Sequence, residues 1–433
     1  MDLLRIATAG SVDDGKSTLI GRLLYETRSV PKDKLEAIDA ASKRRGVDFL
    51  DLSLLTDGLI AEREQGITID VAHVYFSTPT RKYIIADTPG HFEYTRNMVT
   101  GASYSSVSII LIDARNGVVE QTARHYYIAA MLRIPTVIVC VNKMDLVGYS
   151  EARFNEIIAD FQKLAVQIKP DNQIIHTLPV ASLHGDNLIK RSDKTPWYSG
   201  PALLTLLENA EAHAPRKYAS RLSVQYVIRP RNNDVTLHDY RGYAGRMSSG
   251  TFGVGDEIMV LPGERRSTIA RIERAGKSVE QANAGDSVTL LLAHDIDVSR
   301  GNLLVKPDEA PFTRKELRVR LCWLDQTPIA PGKTYVLQHG VNRVRAKVQA
   351  LHNVIDVATL TSTESPAQLK LNEIGEAALK LSAPIFADDY KDNPANGAFI
   401  LIDEWSNTTA GVGFVEASGV SRQPLESALG SGI

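Results

Sequence analysis

The chain has 433 residues, enough for about three domains of ~150 residues each, with 43% hydrophobic residues and a formal net charge of −2. No block of five like charges occurs, and the longest basic run, Lys43, Arg44 and Arg45, reads as a solvated helix face; this argues against a nucleic-acid partner. No apolar run is long enough to span a membrane and no secretory leader precedes "LLRIATAG", so a cytoplasmic protein is expected. The two cysteines, Cys140 and Cys322, lie far apart in apolar runs and read as buried thiols, not a disulfide framework.

Residues 1–213 alternate apolar strands with helical stretches. Strands are expected at "LLRIATA", "DVAHVYFST", "KYIIAD", "SVSIILID", "PTVIVCVN" and "NQIIHTLPVAS". Strands regularly separated by helices imply crossover units and a mainly parallel sheet. The first strand runs into "GSVDDGKS", which fits G-x-x-x-x-G-K-[ST] at Gly10, Gly15, Lys16 and Ser17. "STLIGRLLYE" follows, with Leu19, Leu23 and Leu24 on one helical face. Strand, glycine loop and helix are the context this motif needs. Backbone N–H groups of Gly10, Ser11, Val12, Asp13, Asp14, Gly15, Lys16, Ser17 and Thr18 would curl around phosphate oxygens, and the helix N-terminus adds its dipole. Lys16 would reach the β and γ phosphates, and the Ser17 hydroxyl would hold Mg²⁺.

Between Ser17 and Thr68 a helical reading puts Phe49, Leu52, Leu55 and Leu59 on one stripe. That stripe either faces the core or reports nucleotide state to a protein partner. "EREQGITID" supplies Thr68, a candidate Mg²⁺ ligand and γ-phosphate contact. "IIADTPGH" supplies Asp87, Thr88, Pro89, Gly90 and His91. Asp87 at a strand end would hold the Mg²⁺ shell through water, and the Gly90 amide would sense the γ-phosphate, since glycine lets the backbone approach closely. His91 would act on the attacking water, as a base or by positioning it. "VCVNKMD" closes another strand with Asn142, Lys143 and Asp145. A carboxylate at Asp145 can accept from guanine N1–H and the 2-amino group; adenine offers neither donor, so the site prefers guanine. Asn142 would touch the base and brace the loop, and the Lys143 stem would cover the ring. The nucleotide expected is therefore GTP.

After "HAPRKYAS" the texture becomes β-rich with glycine turns, the pattern of a small closed barrel. A second β-rich stretch runs from "FTRKELRVRLCWLD" to "TAGVGFV", and residues 418–433 lack a core pattern. The expected layout is a GTPase domain over 1–213, barrels over 214–311 and 312–417, and a tail. "RIERAGKS" ends like a phosphate loop at Gly276, Lys277 and Ser278, but Arg271 stands at the first glycine position; it reads as a hairpin turn. "RNNDVTLHDYRGYAG" reads as a loop extension.

The phosphate loop, "GITI", "DTPGH", "NKMD" and two trailing β domains resemble the translation-factor class of GTPases. Within that class the chain is most similar to the GTP-hydrolysing large subunits of bacterial sulfate adenylyltransferase (ATP sulfurylase). The similarity rests on "GSVDDGKSTLIGRLLYETRSV", "EREQGITIDVAHVYFSTPTRKYIIADTPGHFEYTRNMVTGAS", "NKMDLVGYSEARFNEI", "WYSGP" and "DIDVSRGNLL", and runs to about Val415. Aminoacyl-tRNA carriers of the class usually write Val-Asp-His where this chain has Val12, Asp13 and Asp14. The class usually ends its base-contacting elements with Ser-Ala; here Ala181, Ser182 and Leu183 stand, so backbone amides remain for guanine O6 while the hydroxyl moves by one position. The resemblance implies that GTP hydrolysis drives condensation of ATP and sulfate into adenosine 5′-phosphosulfate and pyrophosphate, with adenylyl transfer on a smaller partner subunit of a hetero-oligomer. In keeping with that, the sequence carries no separate ATP motif. No second phosphate loop is found, so the kinase activity that some family members append is not expected. The alternative reading is a translation elongation factor-like GTPase delivering aminoacyl-tRNA.

Overall fold

The computed structural model describes residues 2–44, 50–55, 72–88, 95–168, 173–211, 218–230, 239–357 and 359–416. Arg45, Phe49, Leu59, Thr68, Pro89, Gly90, His91, the loop extension at 231–238 and the expected tail lie outside the described residues. The chain divides into two compact units, one of residues 1–215 with the short segment 356–361, the other of the remainder.

The first unit is built on strands β1 (Leu3–Ala9), β2 (Ala72–Ser77), β3 (Lys82–Asp87), β4 (Val107–Asp113), β5 (Thr136–Asn142) and β6 (Ile174–Pro179). Their order in the sheet is β2-β3-β1-β4-β5-β6. β1, β3, β4, β5 and β6 are parallel, and β2 pairs antiparallel with β3 at one edge. β4 and β5 are buried at every residue, which is why both read as unbroken apolar runs. Cys140 lies in β5, fully buried, and its thiol pKa is pushed up by burial. Among the described residues the helices are α1 (Lys16–Glu26), α2 (Lys32–Arg44), α3 (Thr95–Ala102), α4 (Glu120–Met131), α5 (Glu151–Ile168) and α6 (Leu203–Asn209). Leu19, Ile20 and Leu23 of α1 pack on Ile6, Ile109 and Ile138 of the sheet in one core. Lys43, near the end of α2, is exposed and pairs with Asp39.

Between Ser17 and Thr68 a helix is expected, and the described residues of that stretch show two forms. α2 covers Lys32–Arg44, but Leu52–Leu55 is a single 3₁₀ turn. Residues three apart eclipse in a 3₁₀ turn, so Leu52 and Leu55 still share a side, and both join the core of the first unit. Gly21 of α1 explains the fit: a Cβ there would lie 2.1 Å from the Leu52 carbonyl oxygen.

The second unit contains two closed barrels. The first uses β7 (Arg221–Ile228), β8 (Gly242–Ser249), β9 (Thr251–Gly253), β10 (Glu257–Leu261), β11 (Arg265–Arg274), β12 (Lys277–Val279), β13 (Gln281–Asn283), β14 (Ser287–Leu292) and β15 (Leu303–Val305). Strands β10-β15-β7-β8-β14-β11 run in order and β11 returns to β10, closing a ring of six. β12 hangs from β11 through the two-residue turn Ala275-Gly276, both at positive φ. The false phosphate motif is thus a hairpin, of the kind two left-handed residues make. The second barrel uses β16 (Phe312–Trp323), β17 (Thr334–His339), β18 (Asn342–Asp356), β19 (Thr361–Glu364), β20 (Ile374–Ala387), β21 (Ala398–Ile402) and β22 (Thr409–Val415). Its ring is β17-β21-β22-β16-β20-β18, closed by β18 on β17. Closure removes the unpaired edges that short strands would expose.

The barrels meet through Met259, Leu261, Leu303, Val305 and Phe386. Beside this patch Arg221, 2% exposed at its side chain, makes a two-pronged pair with Asp388, Nε to Oδ2 at 3.0 Å and Nη2 to Oδ1 at 2.8 Å. Asn393 and Asn396 donate to the same carboxylate, and Asn393 also donates to Ser249 Oγ. Cys322 is a buried thiol in β16 and is not in a disulfide.

Candidate nucleotide site

At the end of β1 the chain turns through Gly10 into α1, whose first residue is Lys16. Asp13 (φ 69°) and Gly15 (φ 93°) are left-handed, and such residues let successive N–H groups curl toward one anion. Glycine is required at position 15 on a second ground: a Cβ there would lie 2.5 Å from Asn142 Nδ2. The Lys16 ammonium returns across the loop to the carbonyls of Gly10 at 2.7 Å and Ser11 at 3.1 Å. Burial pushes its pKa down, against the pull of Asp87, Asp14 and Asp13. Asp14 also folds back, its Oδ2 accepting the Ser11 N–H at 2.5 Å.

β5 ends in Asn142. Lys143 follows in the left-handed region, and Asp145 rides on the one-turn 3₁₀ helix Met144–Val147. Asn142 Nδ2 donates to the Asp14 carbonyl at 2.7 Å. Its Oδ1 accepts the N–H of Ser182 at 3.0 Å and the Ser182 hydroxyl at 2.9 Å. One buried amide therefore ties the phosphate loop to the segment Ala181, Ser182 and Leu183. The hydroxyl that stands one position late in the sequence is engaged with Asn142. Ala181 accepts the N–H groups of His184 and Gly185, while Arg22 of α1 donates to the His184 carbonyl at 2.8 Å. Gly185 (φ 83°) sits where a Cβ would be 2.2 Å from Glu26 Oε1. Leu183 is exposed, and His184 Nε2 stands 3.6 Å from Asp145 Oδ2.

Lys143 donates to the Asp13 carbonyl and pairs with Asp113 Oδ2 at 3.0 Å. Asp113 ends β4 and is 1% exposed. Burial alone would raise its pKa, but hydrogen bonds from Arg115 and Lys143 outweigh that and hold it at about 2. Trp197 donates to the Tyr149 carbonyl at 3.1 Å and packs on Phe154. The Tyr149 hydroxyl donates to Asp186, which also holds Ser192 and Lys194.

Asp87 ends β3, 1% exposed, and accepts the Thr8 hydroxyl at 2.9 Å; Thr88 Oγ1 donates to the Thr8 carbonyl. Ser17 and Thr18 lie half-buried in the first turn of α1. The Asp87 carboxylate and Ser17 hydroxyl are hard oxygen donors of the kind Mg²⁺ prefers. Among the described residues no group of three or more His, Cys, Asp or Glu gathers as a metal site.

The structure thus brings residues 10–18, Asp87, Thr88, Asn142, Lys143, Asp145 and residues 181–183 to one edge of the sheet, beyond the carboxyl ends of β1, β3, β5 and β6. That edge is where open α/β sheets hold ligands. Sequence reasoning passed over Asp113, Arg22 and the Tyr149–Asp186 brace. Asp113 had a signal, a carboxylate closing the apolar run "SVSIILID" at the same strand edge. Arg22 and Asp186 act through contacts distant in sequence and had none.

A GTP-binding domain of the elongation factor Tu type matches residues 1–216, and a GTP-eEF1A C-terminal domain-like module matches residues 316–416. The first unit is therefore a GTP-binding domain of the elongation factor Tu kind, followed by two β-barrels. The sulfate adenylyltransferase subunit 1 of Aeromonas hydrophila is 45% identical over 95% of this chain and 86% of its own length. The bifunctional enzyme CysN/CysC of Mycobacterium tuberculosis is 45% identical over 98% of this chain and 68% of its own length. The chain belongs to the sulfate adenylyltransferase subunit 1 family. A crystal structure of Sup35 complexed with GMPPNP aligns at 22% identity over 96% of this chain and 94% of that chain, with a TM-score of 0.43. Among the described residues no helix is long and apolar enough to cross a membrane.

Proposed function

We propose that this chain is the GTP-hydrolysing subunit of a sulfate adenylyltransferase, coupling GTP cleavage to formation of adenosine 5′-phosphosulfate and pyrophosphate on a smaller partner subunit. The observation that carries the reading is the bridge made by Asn142, which joins the phosphate loop at Asp14 to the base segment at Ser182. A site wired in this way binds base and phosphates as one rigid cradle, so little ordering entropy is left for the nucleotide to supply. The family relationship supplies the reaction.

In this reading the loop N–H groups and Lys16 hold the phosphates, Asp145 reads guanine, and Lys143 covers the ring. Ser17, Thr68 and Asp87 would hold Mg²⁺, which neutralises phosphate charge when bound. His91 would act on the attacking water, and GTP would change the segments around Thr68 and Gly90. The site is then a cytoplasmic enzyme's, with a protein partner and neither nucleic acid nor membrane.

The test is the chain with its copurifying partner, assayed for adenosine 5′-phosphosulfate formation with and without GTP. Stimulation by GTP is expected. His91→Ala should keep GTP binding and slow hydrolysis by roughly 10²–10⁴-fold, with net synthesis falling in step. Wild-type synthesis in the face of collapsed GTP cleavage would rule out the driving role. Copurification with tRNA in place of a smaller protein would favour a translation factor.

A further inference from the structure

Asp14 is the residue at which this loop leaves the Val-Asp-His form. It is 5% exposed. Its Oδ2 accepts the Ser11 N–H, and its own N–H donates to the Ser11 carbonyl at 3.3 Å, so side chain and backbone close the start of the loop twice. On its other side the Asp14 carbonyl is held by Asn142. One residue thereby fastens the loop to itself and to the base segment. The charges around the carboxylate come from three elements. Lys16 of α1 and Lys143 after β5 favour its ionised form, and Asp113 at the end of β4 opposes it. Burial is the largest influence and raises its pKa, and the Ser11 N–H bond is the next and lowers it. Asp13, its neighbour in the loop, is exposed.

We infer that Asp14 is a positioning residue of the phosphate loop, bridging to Ser11 to hold the cradle's shape, and that it takes up a proton when a guanine nucleotide binds. The inference rests on the reading that this loop holds nucleotide phosphates. A polyphosphate sets several negative charges beside a buried carboxylate, where screening is weak. It also draws on Lys16, one of the two cations that compensate Asp14. Protonation relieves the repulsion without releasing the loop, because a carboxylic acid keeps an oxygen that accepts the Ser11 N–H. The sign follows from linkage. A group with a higher pKa in the complex takes up a proton on binding. Affinity is then greatest below the free value and falls as pH rises from the free to the bound value, both above the ordinary 3.8.

The experiment is calorimetric titration of the full chain with GDP at a series of pH values from 4.5 to 7.5, in buffers of different ionisation enthalpy. Wild type should take up more protons than Asp14→Asn, whose amide oxygen still accepts from Ser11. Protons carried by GDP itself are common to both and cancel. At pH 7.5 Asp14→Asn should bind about threefold to tenfold more tightly than wild type, because the amide carries no charge to repel the phosphates. Asp14→Ala, with no acceptor, should bind about tenfold more weakly than Asp14→Asn. Equal uptake in wild type and Asp14→Asn, or equal affinity in the Asn and Ala variants, overturns the inference. Absence of any GDP binding by wild type rejects the nucleotide reading instead. Should Asp14→Asn fail to fold, Asp14→Ser keeps an acceptor without the charge and is judged by the same two comparisons.

Discussion

Lys143 carries two obligations. Its stem is the proposed cover for the guanine ring, and its ammonium links Asp113 to the Asp13 carbonyl. The buried Asp113 carboxylate is what keeps that ammonium in place. Asp113→Asn replaces a charge-assisted bond, worth about 1.5–3 kcal/mol, with a neutral one. GTP affinity should fall by roughly tenfold while hydrolysis at saturating GTP stays near wild type; calorimetry and a turnover assay separate the two. The Asp113 pKa, held at about 2, gives the pH sense. A carboxylate depressed on folding stabilises the fold above the ordinary value near 3.8, and that contribution is lost as pH falls toward 2. Acid unfolding of Asp113→Asn should therefore be flatter through that window than wild type. Asp145 belongs to the same scale. Asp145→Asn should weaken GTP and favour xanthosine triphosphate, because the amide presents a donor where xanthine has a carbonyl. A variant that still prefers GTP in a competition assay would place base reading elsewhere.

At the scale of elements the loop between β1 and α1 is held from three sides: by Lys16 on its own carbonyls, by Asn142 and by Lys143. Gly15 lets Asn142 approach. Gly15→Ala puts a methyl 2.5 Å from Asn142 Nδ2 and strains a left-handed residue by roughly 1–2 kcal/mol. The expected result is loss of most GTP binding with only a small drop in melting temperature, since the core under α1 is untouched. Much of this element was legible beforehand, because glycines and a lysine at fixed spacing after an apolar strand specify a local shape. Strands were legible for a similar reason: β4 and β5, buried on both faces, can only read as apolar runs. Leu52–Leu55 was read as helix because residues three apart align in both helix types, and four residues cannot separate 3.6 from 3.0 per turn. The wiring was hidden. Asn142 meets Asp14 across 128 positions, and Arg22 meets His184 across 162; no local pattern encodes such partners.

At the scale of the whole molecule the two barrels are joined by a small apolar patch and a buried ion pair. Truncating Arg221 leaves the partly buried Asp388 carboxylate with only amide partners. Breaking a buried pair by removing one member costs about 3–5 kcal/mol, so Arg221→Ala should shift the denaturant midpoint of the second unit markedly. Arg221→Lys, which lacks the two-pronged fork, should recover only part of the loss. The three tryptophans of the sequence divide this molecule in light as well as in space. Trp197 lies in the first unit against Tyr149 and Phe154, Trp323 is fully buried in the second barrel, and Trp405, 96% exposed, stands at the turn between β21 and β22. Acrylamide should quench Trp405 and spare Trp323. With Trp405→Phe the remaining emission comes from one indole in each unit. Nucleotide titration would then change the Trp197 component, while unfolding of the barrels would be followed by the blue-shifted light of Trp323 moving to the red.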